Sequence, residues 1–158
     1  MVTATVKQLK EELNEKSPKE LVQICLKLSV FKKENKELLT YLLYESHNEE
    51  SYREGIKKEV EQSFEEINKA SYFYIKKSCR KILRSVKKYI RYSKNKETEV
   101  ELLLHFCQQL KALRPPIKRN RVLQNMFDKQ IEMCGKALIK LEEDLQYDYQ
   151  IEIDKILL

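Results

Sequence analysis

Apolar residues recur along this chain at steps of three and four, the period of an α-helix, from one end to the other. Val6, Leu9 and Leu13 mark a short first helix. Ser17-Pro18-Lys19-Glu20 reads as the next helix start, with a serine N-cap, a proline at the first helical position and a capping-box glutamate. Leu21, Ile24, Cys25 and Leu28 form the stripe that follows, and Leu38, Leu39, Leu42 and Leu43 form a third, entered near Asn35. Asn48 is a natural N-cap for a long acidic helix through Ile56, Val60, Phe64 and Ile67. A fifth helix runs from about Tyr72 to Tyr92 and is ended by Ser93-Lys94-Asn95-Lys96. A sixth carries Val100, Leu103, Leu104, Cys107 and Leu110. Pro115-Pro116 stops it, because the residue before a proline is pushed out of the helical region.

Beyond the prolines, Phe127, Ile131, Cys134, Leu138, Leu141 and Leu145 alternate steps of four and three, a heptad seam. One continuous helix from about residue 119 onward would be roughly 50 Å long, so it bends, with Gly135 the natural place, or its end projects. Short connections make successive helices antiparallel neighbours. The expectation is a single all-α domain spanning residues 1–158. It has about seven antiparallel helices in an irregular bundle or a short α-solenoid-like stack, with a long C-terminal helix.

Composition narrows the class. Two glycines and three prolines in 158 residues nearly exclude turn-rich β folds. Gly55 and Gly135 stand too far apart to build a phosphate loop or a dinucleotide fingerprint. No apolar run is long enough to span a membrane. The first residues lack the apolar stretch and small-residue cleavage site of a signal peptide. Cys25, Cys79, Cys107 and Cys134 are widely spaced, which fits reduced thiols and a cytoplasmic location better than a disulfide framework.

Charge is distributed unevenly along the chain. The net charge is +6, from 31 basic and 25 acidic residues. The segment Ser71–Lys96 holds ten basic residues and no acidic one, which leaves 21 basic and 25 acidic residues, a balance of −4, for the rest. On a helical projection starting at Lys76, the eight basic residues from Lys76 to Arg91 fall within about 0° to 140°. Ile75, Cys79, Ile82, Leu83, Val86, Tyr89 and Ile90 occupy about 220° to 340°, and Tyr74 and Tyr92 lie between the two arcs. One face is core and the other is a cationic strip. Like charges at i+3 and i+4 repel by a few tenths of a kcal/mol per pair, so an anionic counterpart is expected.

Four counterparts are open. An RNA or DNA backbone suits a row of Lys and Arg, with the flanking tyrosines available to stack on bases. The acidic helix between Glu45 and Glu66, or the acidic tail from Glu142 to Asp154, would neutralise the strip internally. An acidic protein partner would do the same from outside. A membrane surface ranks lowest, because the apolar face is needed for the core. The candidate polyanion-binding residues are Lys77, Arg80, Lys81, Arg84, Lys87, Lys88 and Arg91. Arg114, Lys118, Arg119 and Arg121 form a second basic patch, read as either an extension of the strip or ordinary solvated loop charge.

Catalytic and metal patterns are sparse. His47 and His105 sit in neither H-E-x-x-H nor E-x-x-H spacing. Glu101 and His105 are four apart and read as a polar pair at the core's edge. The cysteines fall on four helices without metal-ligand spacing, and no G-x-S-x-G elbow exists. No catalytic residue, metal or cofactor is assigned.

Phe31 to Leu43, Lys81-Ile82-Leu83-Arg84, Tyr89-Ile90-Arg91-Tyr92-Ser93, Thr98 to Leu103 and Glu143 to Tyr149 together resemble a family of small helical bacterial proteins without an assigned function. The resemblance covers most of the chain and implies a bacterial, cytoplasmic helical domain. It supplies no catalytic or binding residues. The expected role is a non-enzymatic binding or adaptor module for a polyanion. The alternative is a protein–protein interaction or structural module, with a homodimer through the Phe127–Leu145 seam; an enzyme ranks third.

Overall fold

The computed structural model describes residues 1–158, and every regular element in it is helical. There are eight α-helices rather than seven: α1 (Val6–Asn14), α2 (Pro18–Phe31), α3 (Lys33–Thr40), α4 (Glu49–Glu65), α5 (Tyr72–Ser93), α6 (Lys96–Ala112), α7 (Arg121–Leu138) and α8 (Glu143–Leu157). A π-helical turn at Tyr41–Glu45 extends α3, and a 3₁₀ turn at Ile117–Arg119 precedes α7. None of the helices is long and apolar enough to cross a membrane.

The chain divides into two compact units, Met1–Glu45 and Ser46–Leu158. In the first, Thr5 caps α1 with a complete capping box through Gln8. Ser17 caps α2, its hydroxyl accepting from the Glu20 N–H at 3.2 Å. Asn35 lies inside α3 rather than at its start, and its side chain donates to the Leu28 carbonyl at 2.8 Å. That bond ties α2 to α3 across the sharp extended link at Lys32. Only Ser29 and Tyr41 are buried in this unit. An open apolar cleft of about 200 Å³ between α2 and α3 is lined by Cys25, Leu28, Leu38, Leu39 and Leu42.

The second unit is a helical bundle built around α6. Val100, Leu102, Leu103, Leu104, Phe106, Cys107 and Leu110 are all buried. Buried positions cover most of its circumference, as a helix at the centre of a bundle requires, and α4, α5, α7 and α8 all pack on it. Phe106 is fully buried with its ring 5.6 Å from that of Phe64 on α4. Truncating such a ring typically costs about 3–5 kcal/mol through lost transfer energy and the cavity left behind. Asn48 and Asn95 cap α4 and α6 by accepting backbone N–H bonds from Ser51 and Thr98, both at 3.0 Å.

Polar contacts fix the helices against one another. Arg53 on α4 is buried, with Nε 2.7 Å from a Glu101 carboxylate oxygen, although its N–H is not aligned for a hydrogen bond there. Lys57 lies 3.5 Å from the same oxygen, and Glu97 lies 3.9 Å from Arg53. The Tyr149 hydroxyl of α8 donates to Glu97 at 2.9 Å, joining a third helix to the network. Glu101 therefore pairs with α4 rather than with His105, whose Nε2 lies 3.2 Å from Glu61.

The long C-terminal helix is two helices. α7 ends at Leu138 and α8 begins at Glu143, so the break falls at residues 139–142 and not at Gly135. Ile139 is 72% exposed, whereas Phe127, Cys134 and Leu138 are buried in the bundle, two of them beside α6. The heptad spacing thus runs across a chain turn. Its α7 part packs within the chain's own core, the same use an apolar seam would have in a coiled coil.

Candidate nucleic-acid interface

α5 is a two-faced helix held from behind. Ile75, Cys79, Ile82 and Val86 are buried, at the positions the helical period assigns to the core. Its C-terminus closes on Lys94, which adopts a left-handed conformation (φ 55°) and donates its N–H to the Ile90 carbonyl at 2.9 Å. α4 is fastened along one flank. The Tyr52 hydroxyl donates to the Tyr89 carbonyl at 2.8 Å, the Tyr89 hydroxyl to Glu59 at 2.8 Å, and the Ser93 hydroxyl to Glu49 at 2.9 Å.

The seven candidate residues share one side of this helix but differ in surroundings. Lys77, Arg80, Lys81, Arg84 and Arg91 are exposed, and no carboxylate lies within ion-pair distance of any of them. Lys88 is half-buried with its ammonium 5.1 Å from the centre of the Tyr89 ring. Lys87 is also half-buried, and its Nζ lies 3.7 Å from Met133 Sδ on α7. Burial, and after it the nearby Lys129 ammonium, pull the Lys87 pKa below the ordinary lysine value. Arg80, Leu83, Arg84 and Lys87 line a shallow depression of about 350 Å³.

Carboxylates reach one edge only. A cleft of about 310 Å³ between α4 and α5 has Glu59 and Glu66 on one wall and Ser78, Lys81, Ser85 and Tyr89 on the other. Lys81 is the one strip cation on its α5 wall. The acidic tail helix, α8, packs on α6 and α7. The centre of the strip, along Lys77, Arg80, Arg84 and Arg91, stays open to solvent.

Two contributors escaped the sequence reading. Lys129 belongs to α7 and adjoins Lys87 only through tertiary packing. The second is Phe73, in the first turn of α5, which is 66% exposed and packs edge to face, at 5.4 Å between ring centroids, on the flanking Tyr74, itself 46% exposed. The signal for Phe73 lay in the sequence, since a projection begun one turn earlier puts it at about 60°, in the middle of the cationic arc. The second basic patch is tied to the same end of α5. The Tyr72 hydroxyl donates to the Pro116 carbonyl at 2.8 Å, and Lys118, Arg119 and Arg121 beyond it are exposed.

The three buried thiols serve the core. Burial raises Cys79 and Cys134 to about 12 and pushes Cys107 higher still, while Cys25 is exposed. The chain matches no family model, no curated protein and no solved structure.

Proposed function

We propose that this protein is a non-enzymatic binding module whose ligand is a nucleic-acid backbone, engaged by the cationic face of α5. The observation that carries the reading is the row of exposed Lys77, Arg80, Lys81, Arg84 and Arg91 without a carboxylate partner. Such a row accumulates mutual repulsion in the free protein. Phosphates spaced along a chain relieve it and release their condensed counterions. Phosphate contacts position a ligand without reading its sequence, so affinity with little base specificity follows.

Binding measured by fluorescence anisotropy should weaken steeply with salt, with a log–log slope of roughly −3.5 on a single strand or −4.5 on a duplex if about five phosphates are neutralised. Arg80→Glu combined with Arg84→Glu should abolish binding without changing the circular dichroism of the fold. Both side chains are exposed, so their reversal leaves the core untouched. Unchanged affinity in that double variant would end the proposal.

A second reading, a protein-interaction module, is favoured by the first unit. Val22, Leu26, Leu28, Val30, Phe31, Leu42 and Leu43 are all at least half exposed there. So many exposed large apolar side chains in one small unit favour an interaction surface. Sedimentation over a concentration series tests whether a second copy is the partner.

A further inference from the structure

We infer that the ligand of the α5 face is single-stranded nucleic acid, whose unpaired bases stack on an aromatic platform made by Phe73 and Tyr74. The inference rests on the proposed backbone-binding role of the strip and adds the form of the ligand to it.

The first turn of α5 carries three consecutive aromatic residues put to two uses. Tyr72 is committed inward, its hydroxyl bonded to the Pro116 carbonyl. Phe73 and Tyr74 project into solvent, packed edge to face. Mutual packing limits the rotamers of both rings, so less freedom is lost when a flat ligand settles on them. Phe73 has no polar atom, and its helix buries Ile75, Cys79, Ile82 and Val86 without it. Its exposure is an uncompensated apolar cost in the free protein.

Register joins the rings to the charges. Lys76 and Lys77 follow Phe73 by three and four residues and Arg80 by seven, the spacings that share a helix face. A strand laid along α5 therefore meets a ring at one end and exposed guanidinium groups at Arg80 and Arg84 within about three turns. The basic loop after Pro116, fastened by Tyr72, flanks the ring end.

The chemistry of the ring selects among nucleic acids. A phenyl group has no donor or acceptor with which to read base edges in a groove, and base faces in a duplex are already stacked on each other. In a single strand each face is available, and aromatic stacking is sequence-tolerant because every base has one. Cations tracking the backbone beside an aromatic platform are the usual composition of a single-strand groove.

The test compares three labelled or competing probes: an unstructured oligouridylate, a duplex with the same number of phosphates, and inorganic polyphosphate, which has charge but no bases. The unmodified protein should prefer the oligouridylate to the duplex. Phe73→Ala with Tyr74→Ala should weaken oligouridylate binding about tenfold or more, leave polyphosphate binding unchanged and leave thermal unfolding unchanged. Phe73→Trp should retain or strengthen oligouridylate binding. Equal losses on oligouridylate and polyphosphate, no loss on either, or tighter duplex binding would each overturn the inference. So would loss of binding to phosphatidylserine vesicles in the ring variant with oligouridylate binding intact. If Arg80→Glu/Arg84→Glu abolishes binding while the ring variant behaves as the parent, only the stacking role fails. If that charge reversal has no effect, the strip itself is not the site.

Discussion

His105 shows how one side chain carries the conflict between burial and charge. Its imidazole is largely enclosed between α6 and α4, with Glu61 at 3.2 Å and Lys57 and Glu54 nearby. Burial dominates and lowers its pKa below the ordinary histidine value, although Glu61 pulls the other way. The folded state thus resists a proton that the unfolded chain accepts. As pH falls through about 6.5, the unfolded state binds the proton first and stability drops. The loss continues until the folded form is also protonated, and above that window the residue is silent. His105→Gln should flatten this part of the stability–pH curve, measured by urea unfolding between about pH 7 and pH 5. An unchanged slope would assign the acid sensitivity elsewhere. The spacing of Glu101 and His105 suggested a pair within α6. The partners prove to be Arg53, Lys57 and Glu61, some 44 to 48 residues away in sequence, a range over which periodicity is uninformative.

Among the elements, α5 was the most legible, because amphipathic periodicity encodes which side a helix buries. The four residues buried along it all fall in the arc assigned to the core. Caps at Ser17 and Asn48 were equally readable, since their side chains act on backbone only two or three residues away. The α7–α8 break was not. Residues 139–142 contain neither glycine nor proline, and the apolar steps of four and three continue across them. What interrupts the helix is tertiary packing: α7 and α8 both lie against α6, and one straight rod would carry its far end past it. Phe73 is hidden for a different reason, since the cationic arc that defines the strip starts only at Lys76. The end of α5 offers a local test. Lys94 holds a left-handed conformation that glycine adopts without penalty. Lys94→Gly should raise stability by about 0.5–1 kcal/mol, read as a shifted urea midpoint at constant m-value. A decrease would mean that the Lys94 side chain contributes more than its backbone costs.

At the scale of the whole chain, the two units differ in how much they bury. The first hides little more than Ser29 and Tyr41, while the second encloses three thiols with α6 at its centre. Cysteine chemistry reports on each unit separately. Cys25 should react promptly with a disulfide reagent under native conditions, because it is exposed. Cys79, Cys107 and Cys134 should react only as the second unit unfolds, at rates that follow the denaturant curve. Prompt reaction of more than one thiol would show that the second unit opens locally around them.

Within Ser46–Leu158, the ten cations of the α5 segment stand against 13 basic and 18 acidic residues elsewhere. Charge separated in this way is an electric dipole fixed in the frame of the bundle. In the field of a polyanion such a body turns before it touches, so more encounters arrive with the right side forward. Salt would then act chiefly on the association rate and leave the lifetime of the complex much less affected. The acidic remainder has a use in this picture: it turns the wrong sides away.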